Sequence, residues 1–124
     1  MKVSFNLFFL AVLVAACSSG GNVDVKSFRT GTFEIPAGQG FDKTKFVRTD
    51  SLQIEYYQNR TDSLKIVWKD NFNYTLYMLQ PKSKLDKEPI RVRITSVKAN
   101  SYEFEAIIGH SNFKQKGTVN KIED

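Results

Sequence analysis

The sequence predicts an all-β fold: an antiparallel up-and-down meander of seven or eight strands that forms a small barrel, complete or incomplete, with a flattened β-sandwich as the alternative. From residue 26 onward, apolar and polar residues alternate, and β-branched and aromatic residues are frequent. Turn residues recur at short, fairly even spacing, and no stretch has the apolar periodicity of a helix. A meander of this length tends to close because closure removes exposed strand edges.

The N-terminal residues predict export and lipid anchoring. Lys2 precedes an apolar run that ends in Leu13-Val14-Ala15-Ala16-Cys17, and the only cysteine of the chain stands where small residues end the run. The run is about half as long as a membrane-spanning helix, as is typical of a cleavable signal. We expect a lipoprotein signal peptide at 1–16, a lipidated Cys17 carrying diacylglycerol and palmitate, a flexible tether over 17–25, and one β domain over 26–124. An ordinary secretory signal with an incidental cysteine is the alternative.

Charge and cysteine content exclude several classes of function. Without residues 1–16 the chain has 108 residues, with 17 basic and 13 acidic side chains. The charges are interleaved, as in 82–88, and no basic block indicates nucleic-acid binding. Since Cys17 is assigned to lipid, no thiol remains for a disulfide, a zinc site or a nucleophile. The expected partners are the membrane, through the lipid anchor, and an envelope protein or a small apolar ligand.

Alternation and turn residues define the strands in order. Pro36 ends the first strand, and Asp70-Asn71-Phe72-Asn73 is a strong turn before a strand in which Tyr74, Leu76 and Met78 share one face. The charged connection 80–89 is the longest after the tether, with room for one turn of helix. The predicted strands are 30–35, 43–48, 52–56, 64–68, 74–79, 90–95, 102–108 and 113–122.

A short internal repeat is the clearest local pattern. Residues 48–56, RTDSLQIEY, return twelve positions later as residues 60–68, RTDSLKIVW. In each copy a polar Thr-Asp-Ser corner leads into Leu-x-Ile-x-aromatic, which places three large residues on one face of a strand. Twelve residues equal one strand plus one turn, so two successive strands of a meander are expected, with a repeated binding motif as the alternative.

The last predicted hairpin has one apolar and one charged face. With the apolar faces together, Arg93 lies across from or diagonal to Glu103 and Glu105. These two carboxylates have the side-by-side placement of a glycosidase pair. Arginines on the neighbouring strand would keep both ionised, however, so we expect a ladder of ion pairs.

No catalytic constellation is recognisable. His110 is the only histidine and falls in a predicted turn after Gly109. A lone histidine cannot form a typical zinc site, and no serine stands at a strand-to-helix elbow. No glycine-rich loop precedes a helix. The chain is therefore predicted not to be an enzyme, with no catalytic residue, no metal site and no cofactor.

Aromatic residues are the best candidates for a ligand site. A closed barrel of about eight strands is either filled by side chains or just wide enough for one small ligand. A filled core and a lined cavity both remain open from the sequence. The residues predicted to line the interior are Tyr56, Trp68, Tyr74, Phe104 and Phe113.

Four short segments of the chain carry a family resemblance. They are the lipobox Leu13-Val14-Ala15-Ala16-Cys17, the opening Lys26-Ser27-Phe28-Arg29-Thr30-Gly31-Thr32-Phe33, the Arg-Thr-Asp-Ser-Leu corner and the closing Lys114-Gln115-Lys116-Gly117-Thr118. Together they resemble small lipoproteins of Bacteroidetes-type bacteria. The resemblance covers most of the chain after Cys17 and implies no activity. Sequences of this kind are sometimes named DNA topoisomerase IV, but this chain is too short and has no ATPase or cleavage module.

The resemblance has two implications for the envelope. Surface-displayed lipoproteins of such bacteria have acidic residues soon after the cysteine, whereas residues 18–22 have none, which implies attachment to the outer membrane facing the periplasm. O-glycosylation there follows Asp-Ser/Thr-apolar, which Ser51 and Ser63 both fit.

Two functions from different classes remain open. The first is a lipid-anchored, non-catalytic binding or accessory module of the cell envelope. The second is a structural or inhibitory protein-interaction barrel, similar in architecture to lipoprotein lysozyme inhibitors but without their cysteine pair. A void inside the barrel would favour the first, and a filled core with an exposed apolar patch the second.

Overall fold

A computed structural model of the protein describes residues 23–38, 40, 42–112 and 114–124. The predicted signal peptide, Cys17 and Phe113 lie outside the described residues. Two short 3₁₀ helices, Val25–Arg29 and Leu85–Lys87, accompany eight strands. The strands are β1 (Gly31–Ile35), β2 (Thr44–Arg48), β3 (Leu52–Tyr57), β4 (Arg60–Asp70), β5 (Asn73–Met78), β6 (Ile90–Val97), β7 (Ser101–Ile108) and β8 (Lys114–Glu123).

The strands form a closed barrel in which each pairs antiparallel with the next. Closure comes from β1 and β8, which pair antiparallel through Thr32, Phe33 and Glu34. Gly31 is needed at this seam: its φ is +127°, and a Cβ atom there would lie 2.5 Å from the Glu123 carbonyl oxygen. The predicted meander barrel is confirmed, and because the first and last strands pair, the flattened sandwich is wrong.

The two copies of the repeat differ in structure. Thr49-Asp50-Ser51 forms the connection between β2 and β3, as predicted, whereas the second Thr-Asp-Ser lies inside β4. The turn before the second copy is Gln58-Asn59, where Gln58 has φ +53°. The second predicted corner is therefore wrong, because the chain turns at residues 58–59, before this segment begins.

This two-residue turn places the two copies on opposite faces of the sheet. Tyr57 pairs with Arg60 and Gln53 with Leu64, so each cross-strand pair joins an odd-numbered to an even-numbered residue. Residues that pair across two strands point to the same face of the sheet. Equivalent residues of the two copies are twelve positions apart, so both are odd-numbered or both are even-numbered. They therefore point to opposite faces. Leu64 and Ile66 consequently point into the barrel. Their counterparts Leu52 and Ile54 lie on the outer face.

The N-terminal 3₁₀ helix closes one end of the barrel. Asp24 caps the helix by accepting a hydrogen bond from the backbone N of Lys26 at 3.1 Å. Phe28 is fully buried, and Lys121 of β8 donates to the Ser27 carbonyl oxygen at 2.6 Å. Asp24 and Val25 therefore belong to the folded domain, although the sequence assigned them to the tether.

The opposite end of the barrel is open. Four connections surround it: β1–β2, β3–β4, β5–β6 and β7–β8. The β5–β6 connection carries the 3₁₀ helix Leu85–Lys87, which is the helical turn for which the sequence left room. We call this end the mouth, and the end covered by residues 25–29 the closed end.

The charged face of the β6–β7 hairpin has the predicted ion pair. Arg93 lies directly opposite Glu105, and its Nη2 donates to Oε1 at 3.0 Å. This hydrogen bond holds the pKa of the Glu105 carboxyl below its usual range. Among residues 23–124 as described, no helix has the length and apolar character needed to cross a bilayer.

Candidate functional site

A buried arginine stands at the closed end of the barrel interior. Arg48 is the last residue of β2, points inward and is only 2% exposed. Its Nε donates to Gln53 Oε1 at 2.8 Å, its Nη1 to the Phe28 carbonyl oxygen at 2.9 Å, and its Nη2 to the Tyr102 hydroxyl at 2.9 Å. The guanidinium therefore joins β2, β3, β7 and the N-terminal 3₁₀ helix.

Aromatic rings surround this guanidinium. Its central carbon lies 4.5 Å from the Tyr74 ring centroid and 4.9 Å from that of Phe46. Phe33, Trp68 and Tyr102 follow at 5.1, 5.5 and 5.8 Å. Among the described residues, no carboxylate lies within 4 Å of it. Cation–π contacts and hydrogen bonds thus replace the water that a buried charge loses.

The Tyr102 hydroxyl is held neutral beside this charge. Burial raises the pKa of Tyr102 well above its ordinary value. The Tyr74 and Tyr102 hydroxyl oxygens are 2.8 Å apart and share a hydrogen bond. The closed half of the barrel is therefore filled by one cation and its ring of partners.

A hydrogen-bonded chain leads from Arg48 toward the mouth. The Gln53 amide accepts from Arg48 through Oε1 and donates through Nε2 to Glu55 Oε2 at 2.7 Å. Glu55 is partly buried, and burial raises its pKa, with a further contribution from the nearby Asp62 charge. The amide dipole thus couples the buried cation to a carboxylate nearer the mouth.

Above this chain the barrel is hollow. An inner cavity of about 200 Å³ lies over an aromatic floor formed by Phe46 and Tyr74, and an outer cavity of about 340 Å³ lies at the mouth. The two cavities share Ile35, Thr44, Glu55, Phe104 and Gln115 as lining residues. Together they approach the size of small-molecule sites in proteins.

The inner cavity is mainly apolar and the outer cavity is charged. Leu76, Ile90, Val92 and Ala106 contribute to the inner wall. The side chains that bring charge to the outer cavity are Glu55, Arg60, Asp62 and Asp86, while Lys116 borders the cavity but directs its ammonium to the outer face. The arrangement suits a ligand with an apolar body below and a polar head near the mouth.

Two of these charges neutralise each other at the mouth. Arg60 Nη2 lies 3.3 Å from Asp62 Oδ2, and both residues belong to β4. The Lys116 ammonium lies 3.9 Å from Glu105 Oε2, on the outer face of the barrel. Glu55 has no such cationic partner within 4 Å among the described residues.

The predicted lining residues separate into three groups. Tyr74 and Phe104 line the inner cavity. Trp68 lies outside it, at the closed end, where the Arg29 guanidinium stacks 5.0 Å from its ring centroid. Tyr56 is 44% exposed on the outer face, so its predicted inward position is wrong. The reason is the pairing of β3 with β4, which turns Gln53, Glu55 and Tyr57 inward instead.

The other singled-out residues are at the surface. His110 is exposed in the β7–β8 turn and does not line either cavity. Glu103 is exposed opposite Ser96, on the outer face of the barrel. Ser51, in the β2–β3 turn, and Ser63, on the outer face of β4, are exposed, and their glycosylation stays a prediction.

Sequence reasoning missed Arg48, Gln53, Glu55 and Asp62 as site residues. Gln53 and Glu55 alternate with large apolar residues, and such alternation predicts that the apolar side chains point into the barrel and the polar ones point outward. The signal that could have corrected this is the two-residue spacing between Tyr57 and Arg60, which forces odd-to-even pairing.

The chain matches no protein-family model, no curated protein and no solved structure.

The first prediction concerns Arg48. Arg48→Lys should lower the free energy of unfolding by about 2 to 4 kcal/mol, because an ammonium cannot reach three separate acceptors or stack flat between rings. The matched control is Arg60→Lys, the equivalent residue of the repeat, whose side chain is 51% exposed. It should change stability by less than about 1 kcal/mol. Denaturant unfolding measures both, and equal losses would contradict the assigned role of Arg48.

The second prediction concerns the pH dependence of stability. Because the folded-state pKa of Glu55 is raised above its ordinary value of 4.5, folding favours the neutral acid. Stability contributed by this group is therefore present below pH 4.5 and lost as the pH rises through the raised pKa. Glu55→Gln should keep that stability, so its advantage over the wild type should appear and grow above pH 4.5.

Urea unfolding at a series of pH values measures this difference. The control is Glu103→Gln, the same substitution at an exposed outer-face carboxylate, which should follow the wild-type profile. A Glu55→Gln profile parallel to the wild type at every pH would show that Glu55 is not perturbed in the fold.

Proposed function

We propose that this protein is a lipid-anchored cell-envelope lipoprotein, a non-catalytic binding module that holds a small, largely apolar ligand in the open half of its barrel. The observation that supports this function is the cavity itself, which is open at the mouth and ends on a fixed aromatic floor. A barrel filled throughout by side chains would have no such space.

The floor supports ligand binding because it is held rigidly. Phe46, Tyr74 and Gln53 line the inner cavity and also contact the Arg48 guanidinium from above. A preformed cavity loses little conformational entropy when a ligand enters. The side chains that would orient the ligand are therefore in place before it binds.

A non-catalytic role agrees with the residues around the cavity. Among the described residues, those lining the two cavities include no histidine, cysteine or serine. In this proposal the polar side chains of the wall bind and orient the ligand.

The proposed anchor at Cys17 would set the orientation of the barrel. The folded domain begins at the closed end with Asp24, and six residues, 18–23, would separate it from the lipid, a reach of roughly 13 Å. The closed end would then face the membrane and the mouth would face away from it. The sequence of the tether favours the outer membrane and the periplasm.

The alternative function, a structural or inhibitory protein-interaction barrel, is favoured by the outer face of β3, β4 and β5. Exposed apolar side chains recur there between polar ones: Leu52, Tyr56, Val67, Tyr77 and Leu79. These side chains would supply the apolar contacts if the barrel docked onto another protein.

The third prediction tests the anchor. Cells that express the full chain should incorporate radiolabelled palmitate into the wild type but not into Cys17→Ala, because the thiol is the attachment point. Cys17→Ala should also leave the membrane fraction. Palmitate labelling of Cys17→Ala would overturn the lipoprotein assignment without affecting the cavity.

The fourth prediction tests the cavity. Native mass spectrometry of the wild type, released gently from its own envelope, should show one discrete small extra mass beyond the anchor. Ala106→Phe should remove it, because a ring at this position fills the inner cavity. The matched control is Ala99→Phe, in the exposed β6–β7 turn, which should retain the mass. Circular dichroism checks that both variants are folded, since overpacking costs about 1 to 3 kcal/mol.

Two outcomes would contradict the ligand-binding function. A bare wild-type chain that co-purifies with another protein would favour the protein-interaction barrel. An extra mass that survives Ala106→Phe in a folded protein would place the ligand outside the cavity.

A further inference from the structure

We propose that the ligand carries a protonated amine and that Glu55 binds this group inside the barrel. The inference rests on the proposed binding function and names the chemical class of the ligand. Its basis is the distribution of charge along the cavity wall.

The carboxylates of the cavity lie on its inner wall. Glu55 on β3 and Asp62 on β4 are direct cross-strand partners and both line the outer cavity. Asp86, in the 3₁₀ helix of the β5–β6 connection, adds a third carboxylate from the mouth. Because Arg60 neutralises Asp62, the carboxylates that leave negative charge along the path of an entering ligand are Glu55 and Asp86.

The cations near this path are already engaged. Arg60 is paired with Asp62, and the Lys116 ammonium lies beside Glu105 on the outer face. Arg48 lies beneath the floor, 2% exposed, and donates to three acceptors of the protein. None of these groups offers its charge to a ligand in the inner cavity.

Glu55 is the group that lacks a direct ionic partner. Within the described residues, its only hydrogen bond is the one that Oε2 accepts from Gln53, and no lysine or arginine nitrogen lies within 4 Å. Its neighbours in the shared lining are the apolar Ile35 and Phe104 and the neutral Thr44 and Gln115, none of which supplies an opposite charge. An ammonium group beside Glu55 would supply both the opposite charge and strong donors.

Other head groups fit less well. A carboxylate or phosphate would meet the negative wall and find no available cation in the inner cavity. A neutral apolar ligand would displace water from Glu55 without replacing its hydrogen bonds, which disfavours binding. A ligand with a cationic head group and an apolar body complements both the negatively charged wall and the Glu55 carboxylate.

Three small molecules that differ only in the head group test this inference. Titration calorimetry of the full chain with 2-phenylethylamine, 2-phenylethanol and phenylacetate should rank the amine first, by about tenfold or more over the alcohol. Ala106→Phe should weaken all three. Glu55→Gln should remove the advantage of the amine over the alcohol, whereas the outer-face control Glu103→Gln should keep the wild-type ranking.

The outcomes separate this inference from the proposed function. If the alcohol or the carboxylate binds as well as the amine, or if Glu55→Gln keeps the preference, the amine assignment is wrong while binding in the cavity stands. If none of the three molecules binds to the wild type, the amine assignment is also wrong, and the native mass of the protein decides separately whether the barrel holds a ligand.

Discussion

The structure depends on one constraint: the Arg48 charge is buried inside a small apolar barrel and must be compensated there. An unpaired buried cation would destabilise the fold, so the surrounding elements supply acceptors and ring faces. This requirement explains why the N-terminal 3₁₀ helix offers the Phe28 carbonyl and why Tyr102 points inward from β7. The guanidinium links segments that are up to 54 residues apart in sequence, which favours closure of the barrel around it.

The same charge organises the cavity above it. Arg48 orients the Gln53 amide, and that amide in turn donates to Glu55. A carboxylate next to an apolar cavity is unfavourable in isolation, but the buried cation below it partly offsets the cost of its ionised form. The closed half and the hollow half of the barrel are therefore electrostatically coupled, and the polarity of the proposed ligand site is set from beneath its floor.

The sequence predicted the fold more completely than the site because the two depend on different information. Alternation and turn residues are local, and they placed nearly all the strands to within one or two residues. The face to which each side chain of β3 points depends instead on how β3 pairs with β4. Apolar character alone predicts Leu52 and Tyr56 to point inward, but both are exposed on the outer face. Arg48 and Arg60 begin identical five-residue segments, yet one is buried and the other exposed. They differ in position: Arg48 contacts Phe28 of the N-terminal 3₁₀ helix, whereas Arg60 directly follows the turn at Gln58-Asn59.

The turn at Gln58-Asn59 therefore determines the chemistry of the interior as well as the register of β3. With two residues in the turn, Gln53 and Glu55 face inward and can connect Arg48 to the mouth. A register shifted by one residue would reverse every side chain of β3 and bring Leu52, Ile54 and Tyr56 inside. The interior would then be apolar enough to fill the cavity, but Arg48 would lose its Gln53 acceptor and the carboxylate beyond it. The need to satisfy one buried cation thus favours the register that leaves the barrel hollow and places a carboxylate in its wall.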